Sequence, residues 1–222
     1  MGRAKDPKPA DIEKFMKLEE EKRNRIINAA MKEFRYGYKK ASTDIIVKDA
    51  GISKGLLFHY FVTKEQLYTF LVCHATDLVK KDYFDMMNKG ETDIVEVVWQ
   101  VALLKKDISN QYPYLYDLLN GVYIHRDDSP DVELNTIFEE EQQAVYEEIY
   151  NQCDTTLFRD DIDHKKAIDI IYMTADSIMD DEESKAIAAG GWDDSHYEHF
   201  LDTLKGYLDI FRTSFYKCKA EN

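Results

Sequence analysis

The sequence has few residues that break helices. Among its 222 residues there are only 4 prolines and 9 glycines, and most of the glycines stand alone between longer segments. No run alternates apolar and polar residues between Asn-Gly or Asp-Gly turns, which is the pattern of a β-hairpin. The chain is therefore predicted to be all-α.

Paired cysteines and long apolar runs are also missing. Cys73, Cys153 and Cys218 are odd in number, far apart and in no metal-ligand spacing, which indicates free thiols in a reducing compartment. No stretch approaches the roughly 18 consecutive apolar residues of a membrane-spanning helix, and the N-terminus lacks the apolar segment of a secretory signal. We therefore expect a cytoplasmic protein that does not enter a membrane.

What the chain does have is a strongly uneven charge, with a formal net charge of −14. Residues 1–64 contain 15 Lys and Arg against 9 Asp and Glu, a net of +6, whereas the remainder carries a net of −20. A basic N-terminal part can approach a polyanion while the acidic remainder is repelled from it.

Apolar residues at three-to-four spacing predict a series of helices after a disordered tail of about 10 residues. The last two helices carry broad apolar stripes, which would either pair across a two-fold axis or form the core of a monomer. The predicted helices run from about 11 to 36, 43 to 50, 53 to 61, 64 to 87, 93 to 111, 113 to 125, 130 to 152, 163 to 182 and 194 to 218. The two stripes consist of Ile168, Ile171, Tyr172, Ala175, Ile178 and Met179, and of Tyr197, Phe200, Leu201, Leu204, Tyr207, Leu208, Phe211, Phe215 and Cys218.

Residues 42–61 predict two short helices around a tight turn, a helix-turn-helix. Either Ser42 or Thr43 can cap the first helix by accepting a hydrogen bond from an unpaired backbone N–H. Gly51 suits the left-handed conformation that ends this helix, and Ser53 can cap the second helix. In DNA-binding proteins the second helix of such a pair lies in the major groove.

The second short helix is predicted to have an inner and an outer face. Leu57 and Phe61 face inward at a spacing of four, which leaves polar groups on the outside. Lys54 can donate to guanine O6 and N7, and Gly55 lets the backbone come close to the bases. The candidate contacts to bases and phosphates of a double-stranded operator are Ser42, Thr43, Ser53, Lys54, Gly55, His59, Tyr60 and Lys64.

These residues resemble the TetR family of transcriptional regulators. The resemblance covers about residues 22–71 and departs at Val47, Leu56 and Phe58, of which Phe58 lacks a hydroxyl for a phosphate bond. The matching positions are Ala29, Ala30, Phe34, Gly37, Tyr38, Thr43, Ile46, Ala50, Gly51, Ile52, Ser53, Lys54, Gly55, Leu57, Tyr60, Phe61, Lys64, Glu65 and Leu67.

The resemblance implies a three-helix DNA-binding domain joined to a helical domain that binds a small effector and dimerises through the last two long helices. It divides the chain into a tail over residues 1–19, a DNA-binding domain over 20–80 and an effector-binding and dimerisation domain over 81–222. A dimer of this kind would place two recognition helices roughly 34–36 Å apart on a near-palindromic operator. An effector that favours another spacing would release a repressor from the DNA.

Aromatic residues are frequent in the predicted effector-binding domain. Pockets between helices are lined by such residues with a few polar anchors, although each of them is more often part of the core. We expect a partly apolar effector, and Asp176 could pair with a cationic group or serve at a helix end or an interface. The candidate effector-binding residues are Trp99, Tyr116, Tyr123, Phe138, Tyr146, Tyr172 and Asp176.

Other interpretations fit parts of the sequence. Gly51, Ser53 and Gly55 match the G-x-S-x-G motif of hydrolases, but that motif needs a preceding strand, and a helix is predicted there. His196 and His199 could hold a metal, although the acidic residues before them are good helix caps. A small-molecule enzyme or carrier built on a helical domain is a further alternative, but no catalytic triad, phosphate loop or metal cluster in the sequence supports it. No cofactor is expected. A regulator without an effector, and an activator instead of a repressor, both stay open.

Overall fold

The computed structural model describes residues 9–87, 90–130, 132–189 and 194–217. Within these ranges the chain is all-α and has no strand, as the sequence predicts, with an isolated bridge between Phe158 and Tyr216. The α-helices are α1 Pro9–Met16, α2 Glu20–Phe34, α3 Thr43–Ala50, α4 Lys54–Tyr60, α5 Lys64–Met87, α6 Ile94–Gln111, α7 Leu115–Ile124, α8 Val132–Gln152, α9 His164–Ala189 and α10 Asp194–Phe215. None of the helices in the described ranges combines the length and the apolar character that crossing a membrane requires.

The structure differs from the predicted tail over residues 1–19, of which residues 1–8 lie outside the described ranges. Helix α1 occupies Pro9–Met16, and Phe15 is fully buried, with its ring centroid 4.8 Å from that of Phe61. A break also separates α1 from α2, and Arg23 donates to the carbonyl oxygen of Met16 across it at 2.9 Å. The tail prediction was wrong here because one buried ring among charged residues gives no periodic signal.

Helices α2, α3 and α4 share an apolar core, because each buries one face at three-to-four spacing. Gly51 has a φ of +65°, the left-handed conformation that turns the chain between α3 and α4, as predicted. The buried residues of the three helices are Ile26, Ile27, Ala29, Ala30, Met31 and Phe34 in α2, Ile46 and Ala50 in α3, and Leu57 in α4.

The chain forms two compact units. The first comprises Met1–Lys81 and Ile108–Glu141, and the second comprises Asp82–Asp107 and Gln142–Asn222. The predicted boundary near residue 80 coincides with the end of the first segment, but the structure returns α7 to the first unit. There α7 packs against α2, and Gly121 permits the close approach, because a Cβ atom at that position would stand 2.5 Å from the Arg35 carbonyl oxygen.

The second unit has its own core, which is built largely from α6, α9 and α10. Asp93, just before α6, holds the end of α10, since it accepts hydrogen bonds from the Tyr216 hydroxyl at 2.6 Å and from Arg212 at 2.5 Å. The buried residues of this core are Ile94, Val95, Val97, Val98, Ala102, Ile149, Phe158, Ala167, Ile168, Ile171, Phe200, Leu204, Leu208 and Phe211. Much of the two predicted stripes therefore packs inside the chain's own core.

Candidate nucleic-acid interface

The turn between α3 and α4 is closed by local hydrogen bonds. The Ser53 hydroxyl accepts from the backbone N–H of Leu56 at 3.2 Å, so Ser53 caps α4 as predicted. Ser42 occupies the corresponding position before α3, but its side chain makes no capping bond. Its backbone N–H donates instead to a carboxylate oxygen of Glu33 at 2.9 Å. The prediction of a hydroxyl cap at Ser42 was therefore wrong, because a carboxylate from α2 joins the start of α3 to the core.

Helix α4 separates an inner and an outer face. Leu57 and Phe61 are each 1% exposed and lie in the core. Ser53, Lys54, Gly55 and His59 are exposed, and no heavy atom lies within 4 Å of the position that a Cβ atom would take at Gly55. The burial of Leu57 and Phe61 and the exposure of Lys54, Gly55 and His59 agree with the predicted faces of α4, whereas Tyr60 is half-buried.

Tyr60 and Lys64 are less accessible than the other candidate contacts. The Tyr60 ring packs on the ring of Phe15, with 5.6 Å between the centroids. The Lys64 ammonium lies 4.5 Å from the centroid of the Tyr38 ring. Burial lowers the pKa of Lys64, and the nearby Glu33 carboxylate opposes that shift. Both side chains are therefore held by packing, Tyr60 at the end of α4 and Lys64 at the start of α5, and their contact with phosphates stays a prediction.

An ion pair that the sequence did not predict joins α3 to α4. The Lys54 ammonium lies 2.8 Å from a carboxylate oxygen of Asp44, and both side chains are exposed. Asp49, farther along α3, pairs with Lys32 of α2 at 3.0 Å. The hydrogen bond that the Lys32 ammonium donates to Asp49 is the main cause that raises the pKa of Lys32. Of these two pairs, the first lies with the candidate DNA contacts, because Lys54 is itself one of them and Thr43 precedes Asp44 in the sequence.

A cavity of about 40 Å³ lies in the second unit. Two of the seven predicted effector contacts, Tyr172 and Asp176, line it together with Lys105. Desolvation raises the pKa of the Asp176 carboxyl, whereas Lys105 acts in the opposite direction. The side chain remains in contact with solvent. The other lining residues are Val98, Val101, Ala102, Ala175, Phe200 and Leu204.

Tyr146 lies in a different place, a polar groove of about 200 Å³ beside α8. Its hydroxyl donates to Asp169, and its ring centroid is 5.5 Å from that of Tyr172. Burial and the bond to Asp169 raise the pKa of Tyr146 to about 12. The hydroxyl is therefore neutral at physiological pH and already engaged within the protein.

Trp99, Tyr116 and Tyr123, which were also predicted as effector contacts, are not among the residues that line the cavity. Trp99 packs against the core of the second unit. Tyr116 and Tyr123 belong to α7 in the first unit, and Tyr123 is 63% exposed. Phe138 lies in α8, but its side chain is outside the described residues. The role of these residues in effector binding stays a prediction.

The described residues contain no group of three or more His, Cys, Asp and Glu side chains that could hold a metal ion. His199 is instead bonded through Nδ1 to the buried Glu182 carboxylate at 2.6 Å. Cys153 is a free thiol, and burial raises its pKa to about 11. The G-x-S-x-G motif follows helix α3 and not a strand, so it is not the nucleophile turn of a hydrolase.

The fold and this surface define an all-α protein with a helix-turn-helix DNA-binding domain. Residues 26–69 match the family model described as bacterial regulatory proteins, tetR family. The match covers this domain and supports a DNA-binding regulator. Among curated proteins, none matches the sequence.

Solved structures share the fold over most of the chain at low sequence identity. A TetR family transcriptional regulator from Chloroflexus aurantiacus J-10-FL is 17% identical, with a TM-score of 0.58 and coverage of 93% of this chain and 98% of that one. The ketosteroid transcriptional regulator KstR2 of Mycobacterium tuberculosis is 16% identical, with a TM-score of 0.58 and coverage of 87% and 94%. The TetR family protein CprB from S. coelicolor A3(2) is 18% identical, with a TM-score of 0.57 and coverage of 90% of both chains.

Proposed function

We propose that the protein is a dimeric repressor that binds a near-palindromic operator and is released from it by a small effector. The observation that carries the operator-binding part is the outer face of α4, where Lys54 and His59 are exposed while Leu57 is buried. A helix held by its apolar face and open on its polar face suits the major groove. The net charge of +6 over residues 1–64 favours the approach of this end to DNA. Because bacterial operators lie in the cytoplasm, we expect the protein there.

Exposed apolar residues on the last two helices support dimerisation. Ile170 and Met173 of α9 are 45% and 71% exposed, and Tyr207 and Ile210 of α10 are 45% and 56% exposed. Each pair is separated by three residues and therefore lies on one face of its helix. A second copy of the chain would cover these faces, as in a four-helix bundle. Of these four residues, only Tyr207 belongs to the stripes predicted from the sequence.

The cavity lined by Tyr172 and Asp176 is the favoured effector site, because it combines apolar walls with the polar groups of Asp176 and Lys105. Its volume of about 40 Å³ is far below the roughly 300–1,000 Å³ of drug-sized sites. An effector would therefore have to bind a conformation of the protein in which the cavity is wider. By binding that conformation more tightly, it would raise the fraction of the protein that adopts it. The same small volume favours the second candidate function, a regulator of this family that binds DNA without an effector.

The effector proposal is tested with tetraphenylphosphonium, an apolar cation that suits the carboxylate and the aromatic wall. The wild type should show a rise in melting temperature and weaker operator binding with this probe, and Asp176→Asn should show neither. A panel of apolar cations, anions and neutral compounds that leaves the melting temperature unchanged would favour the regulator without an effector.

The operator proposal is tested by titrating palindromic duplexes from upstream of the protein's own gene at two salt concentrations. The logarithm of the affinity should fall linearly with the logarithm of the salt concentration, because phosphate contacts release counterions from the DNA. Lys54→Ala should cost about 1–3 kcal/mol at one base position, whereas Lys64→Ala should weaken all sequences alike. Absence of salt-dependent binding to every such duplex would contradict the proposal.

A further inference from the structure

Lys54 does not stand alone on the outer face of the helix-turn-helix. Its ammonium lies 2.8 Å from Asp44 in the first turn of α3, and the two side chains are 51% and 73% exposed. The pair therefore lies on the surface that a duplex would meet. A negative charge in this place is unexpected for a surface that binds a polyanion, unless the carboxylate has its own partner on the DNA.

We propose that Asp44 is a specificity-determining residue, and that Asp44 and Lys54 together read one G·C base pair in the major groove. The proposal rests on the DNA-binding function proposed above and names the base pair that this part of the surface takes. Lys54 binds the guanine, Asp44 binds the cytosine of the same pair, and the two side chains keep their mutual contact.

The chemistry of the two groups selects the base pair. An ammonium can only donate hydrogen bonds, and an ionised carboxylate can only accept them. In the major groove a G·C pair presents the two acceptors N7 and O6 of guanine beside the N4 amino donor of cytosine. Lys54 can therefore donate to the two adjacent acceptors of guanine while Asp44 accepts from cytosine N4. An A·T pair also presents a donor, adenine N6, but this donor lies between the acceptors N7 and O4, so A·T offers one ammonium no two adjacent acceptors. Opposite guanine O6, thymine O4 or a phosphate, the carboxylate would lose its hydrogen bond to water and gain repulsion.

The exposure of the pair makes the substitution of Asp44 informative. Exposed ion pairs contribute little to folding, so Asp44→Ala should leave the fold intact. Asp49 offers a matched control, because it is an acidic residue of the same helix with a lysine partner at 3.0 Å. Five residues along a helix correspond to a turn of roughly 140°, so Asp49 points away from the side of Asp44.

The test is selection from a library of duplexes with randomised half-sites, followed by sequencing, for the wild type, Asp44→Ala, Lys54→Ala and Asp49→Ala. The wild type and Asp49→Ala should select G·C at the same position of each half-site. Asp44→Ala should lose about tenfold or more of the discrimination at that position and keep the preferences elsewhere. Lys54→Ala should relax the same position.

Two results would overturn the proposal while leaving the regulator function in place. One is an Asp44→Ala variant that keeps every base preference and binds all duplexes more tightly, since Asp44 would then act only as a charge. The other is a preference for A·T at the position that Lys54→Ala relaxes. If the wild type enriched no sequence, the operator-binding function itself would be overturned. The wild-type selection shows this before any variant is compared.

Discussion

Arg35 and Asp117 form a salt bridge of 3.0 Å in which the two side chains are only 20% and 8% exposed. Arg35 directly follows α2, and Asp117 lies in the first turn of α7. The guanidinium also lies over the ring of Tyr114, at 5.1 Å from its centroid. This cluster holds α7 against the helix that supports the helix-turn-helix, within the first unit.

Loss of the Asp117 carboxylate should destabilise the protein strongly. Asp117→Ala leaves the Arg35 charge buried without its partner, which costs about 3 kcal/mol or more in such pairs. The free energy of unfolding in urea measures the effect. Glu21→Ala, which breaks the exposed pair between Arg25 and Glu21, is the control and should cost less than about 1 kcal/mol. Equal costs for the two variants would show that the buried pair has no special role.

A methyl group at Gly121 should force α7 away from α2. The added Cβ atom would stand 2.5 Å from the Arg35 carbonyl oxygen, which is backbone and cannot rotate away. We expect Gly121→Ala to lower the stability by about 1–3 kcal/mol. Gly206→Ala is the matched control, because Gly206 is also helical and nothing lies within 4 Å of its added Cβ. The control should be neutral or stabilising by up to about 1 kcal/mol, since alanine favours helices. If both substitutions changed the free energy of unfolding in the same direction, the close packing of α7 against α2 would be contradicted.

Truncation of Phe15 should show that α1 belongs to the folded domain. Phe15→Ala removes a fully buried ring that contacts Phe61 and Tyr60, which costs about 3–5 kcal/mol in other cores. Met16→Ala, at a position that is 38% exposed, should cost far less. Thermal unfolding of the two variants measures the difference. If residues 9–19 were a tail, both substitutions would be silent.

A charge on the exposed face of α9 should prevent dimerisation. Met173→Glu places a carboxylate where the proposed interface would bury it without a partner, so the dimer should dissociate at micromolar concentration. Light scattering after size exclusion measures the mass. Leu103→Glu is the control, because Leu103 is a 40% exposed apolar residue of α6 in the same unit. A Met173→Glu protein that keeps the mass of a dimer would place the interface elsewhere.

The helix-turn-helix could be predicted from the sequence because its signals are local. Gly51 and Ser53 mark the end of one helix and the start of the next within three residues, and Leu57 and Phe61 set the inner face by spacing alone. The sequence predicted one helix from about 11 to 36 and missed the break between α1 and α2. It also missed that α1 packs on the domain, because that burial depends on one ring, that of Phe15. Capping residues and apolar spacing within one turn, as at Gly51 and Ser53, determine where a helix begins and ends.

The remaining features depend on packing between distant segments. The apolar stripe on α10 extends over more than one side of the helix, so the sequence could not separate the core residue Leu208 from the exposed Tyr207. The residues around the cavity come from three helices, which explains why only Tyr172 and Asp176 of the predicted set line it. The pair of Asp44 and Lys54 spans ten residues and a turn, a separation that has no periodic signature.

The central claim is that α4 lies in the major groove with Lys54 on a guanine. Protection of guanine N7 from methylation by dimethyl sulfate tests it most directly, because N7 lies on the major-groove edge. The wild type should protect guanines in both half-sites of its operator. At concentrations that saturate the duplex, Lys54→Ala should leave one guanine in each half-site unprotected. Full occupancy without any protected guanine, or a protection pattern that Lys54→Ala leaves unchanged, would contradict the account.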